Sequence, residues 1–306
     1  MGNHVIKKGL DIPIAGAPDQ KILEQKPVRT VALVAGDYYG LKPTFLVQPG
    51  DTVRRGQPLF EDKRFPGVMH TAPGAGTVTA IHRGERRAFQ SLVIALNDRE
   101  RAGTPEEADF FAYPSWSSSL AQTTDTAKIR EFLLISGLWT AFRTRPFSKT
   151  PAPEASPQAI FVNAADSNPL APDMDVVFSG RQADLDAGVL VLTRISEGNV
   201  FFCRKAGATL APSAMEKLSV EDFSGPHPSG TAGVHIHTLA PAGRHRTVWT
   251  IGLQDVLAIG ALFRTGRLEV SRIIALSGPP VKRPRLLKTR LGASMDELIA
   301  GEYPDG

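Results

Sequence analysis

The sequence predicts a multidomain α/β protein, and three observations predict it. Residues 42–96 alternate short apolar runs with turns that carry glycine or proline. Residues 159–276 alternate strand-like with helix-like runs, and residues 268–300 read as strand, strand, helix. Short strands joined by tight turns imply a small β unit, whereas strands alternating with helices imply a layered α/β sheet. At 306 residues and 42% hydrophobic, the chain can fill two or three separate cores.

In the first unit, Thr44 to Val47, Val53, Leu59-Phe60, Val78, Ile81 and Leu92 to Ile94 supply the apolar runs, and Pro49-Gly50-Asp51, Gly56-Gln57 and Gly76-Thr77 the turns. A polar stretch from Gly103 to Thr126, interrupted by Phe110-Phe111 and Trp116, reads as a linker that still packs, and it places a domain boundary. Asp125 or Thr126 then caps a helix to about Ser136, with Ile129, Phe132 and Leu133 at helical spacing and Gly137 as its stop. Beyond it, Ala159–Asn163, Val176–Phe178, Asn199–Cys203 and Val248–Ile251 are expected as strands, with Arg181–Thr193 and Asp255–Arg264 as helices. Domains are expected at 1–103, an N-terminal segment followed by the small β unit, at 104–266, the layered α/β unit, and at 267–306, an incomplete last unit.

Several function classes are excluded or disfavoured by composition. No apolar run approaches the roughly 18 residues of a membrane span, the best being Val256 to Phe263 and Gly188 to Leu192. The first residues carry charge without a following apolar stretch or cleavage site, so a cytoplasmic location is expected. Cys203, the single cysteine, lies in an apolar run and reads as a buried thiol, which leaves no disulfide framework or cysteine-ligated cluster within the chain. A net charge of +4 is modest against 31 acidic residues. The basic cluster Lys282, Arg283, Arg285, Lys288 and Arg290 lacks interleaved aromatics, so no nucleic-acid partner is expected.

Val47 to Leu59, followed by Ala72-Pro73-Gly-Ala-Gly76-Thr77-Val78, resembles the flattened β barrel-sandwich of biotinyl and lipoyl carriers. A working carrier holds its modified lysine inside a short motif such as Glu-Ala-Met-Lys-Met. Here the hairpin reads Glu61-Asp62-Lys63-Arg64-Phe65-Pro66-Gly67, so the barrel is expected without carrier activity.

Gly137-Leu-Trp-Thr-Ala-Phe142-Arg143-Thr-Arg145-Pro146-Phe147-Ser148-Lys149 joins apolar rings to a cationic rim. Two readings stand: a site for a flat ring whose carbonyl oxygens accept from arginine, or a surface loop pinned to the core by its aromatics. Val234-His235-Ile236-His237-Thr238 is expected to put two imidazoles on one face of a strand. With His227 and His245 nearby, a zinc site is conceivable, but the helical spacing of zinc motifs is missing, so hydrogen-bonded histidines are expected and no metal. No Gly-x-Ser-x-Gly elbow supports a hydrolase, and no Gly-x-Gly-x-x-Gly phosphate loop occurs between Ala159 and Gly266.

The 137–149 segment, Ile6-Lys-Lys-Gly9-Leu10-Asp-Ile-Pro13-Ile14-Ala15-Gly16, Gly40-Leu-Lys42-Pro43-Thr44, Asp62-Lys63 with Pro66-Gly67, Asp166-Ser-Asn168-Pro169-Leu170-Ala171, and Gly225-Pro-His227-Pro228-Ser-Gly230 to His237 occur in an order that resembles the A subunits of sodium-translocating NADH:quinone reductases. The resemblance implies a biotinyl/lipoyl-like barrel, a Rossmann-like α/β domain and a β-grasp module of the soluble-ligand-binding type. The last is carried by Ser271 to Gly278, Val281 to Pro284 and Leu291 to Leu298, and is expected to lack its closing strand because family members run on past Gly306.

The resemblance further implies a peripheral subunit on the cytoplasmic face of the inner membrane, partnered by the other subunits, including an integral membrane one. No cofactor is expected in this chain; NADH, flavins and a 2Fe-2S cluster would belong to partners, with ubiquinone as substrate. Carried over residue by residue, Gly36, Asp37, Tyr38, Tyr39 and Gly40 would meet Phe142, Arg143, Arg145, Phe147 and Lys149 around the quinone ring. The rings would stack and the cations would polarise the carbonyls. For Tyr38-Tyr39 a strand-end pair packing between domains is the other reading. A free-standing ligand-binding module with no redox role is the alternative for the whole chain.

Overall fold

A computed structural model describes residues 2–304, the side chains of 23–25 excepted. The first third of the chain forms nine strands: β1 (Gly2–Val5), β2 (Asp19–Gln25), β3 (Thr30–Val34), β4 (Pro43–Phe45), β5 (Thr52–Val53), β6 (Pro58–Asp62), β7 (Met69–Thr71), β8 (Gly76–Arg83) and β9 (Phe89–Leu96). Seven of them make the expected barrel-sandwich, one sheet in the order β3-β9-β8-β5 and the other β4-β6-β7. Alternation with period two sends Val31, Leu33, Leu92, Ile94 and Val78 inward to meet Leu59 and Phe60 from the facing sheet. At the sequence-expected Pro49-Gly50-Asp51 turn, Gly50 has φ +98°, the left-handed region that glycine enters without a Cβ penalty. The hairpin tip is fixed by Asp62, which accepts from both the backbone N–H and the guanidinium of Arg64, while Lys63 is exposed.

β1 and β2, from the N-terminal segment that precedes the barrel, are not part of it. β1 runs parallel to a strand of the α/β sheet, Gly2 opposite Glu221, and β2 runs parallel to a strand of the third sheet. Apolar residues of this segment, Val5, Leu10, Ile12 and Ile14, are exposed and so bury no apolar face that would choose a sheet. Nothing local therefore specifies which sheet edge the strands extend.

The short helix α1 (Asp98–Ala102) ends at Gly103, and the linker beyond it packs as expected: Tyr113 Oη donates to Gly56 O at 3.0 Å and Trp116 Nε1 to Phe263 O at 3.1 Å. Helix α2 (Thr126–Ile135) starts on Asp125, whose carboxylate accepts from Ala127 N at 3.1 Å. There follow β10 (Arg143–Arg145), β11 (Ile160–Ala164), α3 (Met174–Phe178), α4 (Gln182–Ile195), β12 (Val200–Lys205), β13 (Leu218–Ser224), α5 (Ala232–Leu239), β14 (Val248–Gly252) and α6 (Leu253–Thr265). They build a six-stranded sheet, β1-β13-β12-β11-β14-β10, parallel except for the edge strand β10. The run Ile160-Phe161-Val162 is fully buried because parallel strands are covered on both faces. Helices α4 and α6 touch backbone to backbone, so that a Cβ on Gly188 would collide with Val256 O.

Two segments expected as strands are helical. Val176–Phe178 lies in α3, begun by Asp173 accepting from Asp175 N at 2.8 Å, and Val234–Thr238 lies in α5. With the two barrel sheets counted as one unit and the parallel sheet as the second, the third sheet consists of β15 (Ser271–Leu276), β16 (Arg285–Arg290) and β2, followed by α7 (Met295–Ile299). β16 thus carries β2 from the chain's beginning on its second edge. The basic cluster at 282–290 is also no uniform patch: Arg285 is paired with Glu302 at 2.8 Å and Arg290 with Glu100 at 2.8 Å.

Candidate functional site

The barrel, the parallel sheet and the third sheet meet around a cavity of about 270 Å³, and the approach to it is set by the end of α2. Gly137, at φ +80°, stops that helix, and a Cβ there would lie 2.7 Å from Thr71 Oγ1 of the barrel. Thr71 in turn donates to Ser136 O at 2.9 Å, so barrel and α/β unit are joined at this turn. The chain then makes a single 3-10 turn, Leu138–Ala141, and Trp139 and Phe142 pack on Trp249 with ring centroids at 5.3 and 5.4 Å. That aromatic cluster fixes the start of β10 and aims Arg143 at the cavity.

Arg143 bridges the two stretches singled out in the sequence: its guanidinium donates to Phe142 O at 3.0 Å and to Asp37 O at 3.3 Å. Asp37, Tyr38 and Arg143 all line the cavity. Opposite them lie Asp255 from α6 and Arg272 from β15, paired at 2.5 Å, and His70 from β7. Burial pushes the Tyr38 phenol up to about 12, with Asp37 reinforcing and Arg143 opposing. Burial pushes the His70 imidazole down to about 4 against the pull of Asp62. At neutral pH the cavity therefore presents a neutral phenol and a neutral imidazole between two fixed guanidinium groups. His70 is 3% exposed and its ring is clamped, stacked on Phe60 at 4.7 Å and perpendicular to the Tyr38 ring at 4.4 Å. Its Nδ1 has no hydrogen-bond partner.

The sequence-predicted residues divide into four groups. Asp37, Tyr38 and Arg143 face the cavity. Tyr39, 68% exposed, and Phe147, 79% exposed, lie on the outer surface, where the Lys149 ammonium sits 5.2 Å from the first ring and 5.8 Å from the second. Gly36 and Gly40 are exposed backbone of the intervening turn, and Arg145 is half-buried outside the cavity lining with its Nε unpartnered. Phe142 is the correction: at 0% exposure its ring belongs to the core with Trp139 and Trp249, so it is not placed to stack on a ligand. His70, Asp255 and Arg272 were not expected. His70 sits in a three-residue strand and Asp255 near a helix start, and neither position carries a local signal.

The histidine expectation is corrected with its strand. On α5 two residues two apart point to different sides. His235 is fully buried with Nε2 2.9 Å from Ser229 O, whereas His237 is exposed. His227 Nδ1 lies 3.1 Å from Ser167 Oγ and His245 is exposed. Cys203 is a buried thiol whose pKa burial raises.

A larger cavity, about 460 Å³, opens at the carboxyl ends of β11 and β12, where open α/β sheets hold ligands. Its lining includes Asp166, Asp173 and Asp175 against one cation, Lys205. That balance is unfavourable for a phosphate, and the Asp175 carboxylate is already engaged by the backbone N–H groups of Thr209 and Leu210.

Three family models match the chain in succession. They are the NqrA N-terminal barrel-sandwich hybrid domain over residues 4–97, the NqrA second alpha/beta domain over 124–268 and the NQRA C-terminal domain over 273–306. Among curated proteins, the NqrA subunit of the Na(+)-translocating NADH-quinone reductase of Pseudomonas aeruginosa PAO1 is 51% identical over 301 residues, which are 98% of this chain and 65% of that protein. Its counterpart from Serratia proteamaculans is 49% identical, over 98% of this chain and 66% of its own length. That of Neisseria gonorrhoeae is 47% identical, over 98% and 65%. The chain thus spans about 65% of the length of the relatives it matches.

Proposed function

Since the chain belongs to the family of NqrA subunits of Na(+)-translocating NADH-quinone reductases, we propose that it acts as the peripheral subunit of a sodium-pumping NADH:ubiquinone oxidoreductase and contributes to its quinone site and assembly. The observation that carries the quinone reading is the convergence of two distant stretches: Asp37 and Tyr38 from one, and Arg143 from the other, line one cavity. Its volume of about 270 Å³ lies just under the roughly 300 Å³ at which ligand pockets begin, which suits a single-ring headgroup and is too small for a dinucleotide. A guanidinium that cannot lose its proton donates to a quinone carbonyl and stabilises negative charge developing on that oxygen during reduction. Leu33, Leu138, Leu268 and Leu291 add apolar surface to the lining.

Electron carriers enter this reading only through partners: NADH, flavins and the 2Fe-2S cluster would reside in other subunits, and the isolated chain would be inactive. No helix among the described residues is long and apolar enough to cross a membrane. Attachment at the cytoplasmic face runs, in this proposal, through an integral membrane subunit.

The test is photo-crosslinking of the purified chain with a short-tailed, azide-bearing ubiquinone, excess unlabelled quinone as competitor, and peptide mapping. Competed labels are expected within Val34 to Leu41 and Phe142 to Lys149, with Asp37, Tyr38 and Arg143 preferred over Tyr39 and Phe147. Labelling that competitor does not suppress would move the site away from this subunit.

A further inference from the structure

We propose that Asp255 is a specificity-determining residue for the reduced ring, its free carboxylate oxygen accepting a hydrogen bond that a quinol hydroxyl can donate and a quinone carbonyl cannot. This rests on the reading that the cavity takes a quinone, and it adds a residue that neither sequence stretch contains.

The placement comes from three elements. Asp255 stands in the first turn of α6 and lines the cavity together with Tyr38 and Arg143. Its Oδ1 accepts from Arg272 Nη2 at 2.5 Å, and Arg272 is tied back in turn, Nη1 donating to Ser271 O at 2.9 Å. The carboxylate is thus oriented before any ligand arrives, which spares the cost of ordering it on binding. Oδ2 has no hydrogen-bond partner and is not closed off: the side chain is 31% exposed, and this oxygen is not among the buried unpartnered atoms. A Cβ built on Gly252 would meet nothing within 4 Å except Oδ2, at 3.6 Å, so the oxygen borders open space where the helix begins.

The rest of the lining decides what that oxygen can select. The hydroxyls of Thr71, Ser136 and Thr140 donate to the carbonyls of Ser136, Leu133 and Gly137. Arg143 gives three bonds to the carbonyls of Thr140, Phe142 and Asp37, and a guanidinium with five N–H groups keeps donors to spare. Two carboxylates in the lining only accept, those of Asp37 and Asp255. Asp37 is exposed in its turn, whereas Asp255 is held by Arg272.

A quinone offers two carbonyl oxygens, and these only accept. A carboxylate oxygen facing one of them sets two acceptors against each other. Reduction turns each carbonyl into a hydroxyl, and a hydroxyl donating to a carboxylate makes a short bond about twice as strong as one between neutral groups. Arg143 therefore favours the oxidised ring and the charge that develops on it, while Asp255 favours the finished quinol.

The experiment is competitive photolabelling of the full purified chain with azide-bearing ubiquinone, displaced under argon by ubiquinone-1 or by ubiquinol-1 reduced beforehand. It compares wild type, Asp255→Asn and Asp255→Glu, and reads the ratio of the two affinities, which a general loosening of the fold would leave unchanged. Asp255→Asn is expected to weaken ubiquinol-1 about tenfold, the worth of one charge-assisted hydrogen bond, and to leave ubiquinone-1 unweakened. Asp255→Glu keeps the charge and should keep a ratio closer to that of wild type. Equal losses for both ligands in Asp255→Asn would overturn the proposal, since Asp255 would then be structural, and so would an unchanged ratio; either result leaves the quinone reading standing. A wild type in which neither form competes overturns both.

Discussion

At the scale of single residues, the most consequential groups are buried charges whose partners lie far along the chain. Glu302 accepts from Arg285 at 2.8 Å and from Lys26 at 2.8 Å, and these hydrogen bonds hold its carboxyl down at about 2. A carboxyl whose folded pKa is depressed contributes stability above its unfolded value near 4.5, and loses that contribution as pH falls toward 2. Denaturant melts at pH 7 and pH 3 should show Glu302→Gln less stable than wild type at pH 7, with the gap narrowing at pH 3. A gap that stays constant would mean that the pair contributes nothing through ionisation. At this scale the sequence was legible where chemistry is local: Asp125 caps its helix as the pattern implied, and Gly137 ends it. It was not legible where fate depends on a distant neighbour. Phe142 reads as a ring for a ligand until Trp249 covers it, and the histidine in Met69–Thr71 has no feature that announces a cavity.

At the scale of elements, the longest helices were legible because their apolar periodicity extends over three or more turns, as in α4 and α6. Short apolar runs were not: Val176–Phe178 and Val234–Thr238 fit strand or helix equally, and the caps and the packing around them decide. What the periodicity also leaves open is how closely α4 and α6 approach. Two glycines set that distance, and a Cβ on Gly260 would collide with Asp184 O as one on Gly188 would with Val256 O. Gly260→Ala must therefore push the helices apart and should cost about 1–3 kcal/mol in a denaturant titration, a typical overpacking penalty. Gly36→Ala serves as its control, because a Cβ at Gly36 meets nothing within 4 Å, and its midpoint should be unchanged. Equal midpoints for the two variants would show that the contact between α4 and α6 is looser than this spacing.

At the scale of the whole molecule, the barrel, the parallel sheet and the third sheet were each anticipated from pattern and resemblance, but not how the N-terminal segment ties two of them together. β1 extends the parallel sheet beyond β13, β2 extends the third sheet beyond β16, and Lys26 anchors the following turn to Glu302. Residues 2–25 are therefore a strap across the units that border the cavity, and none of their described side chains belongs to the barrel core. Deleting residues 2–25 should leave amide exchange in β8 and β9 as slow as in the intact chain, since the barrel keeps its own core and its own ladder. Exchange in β16 and β13 should accelerate, because each loses the strand on one side. The cavity draws Leu268, Arg272 and Leu291 from the third sheet or its borders, so a loosened β16 should also weaken competed quinone labelling while the barrel stays folded. If labelling instead survives with β16 exchanging freely, the site is held by the barrel and the α/β unit alone, and the role of Arg272 in it falls.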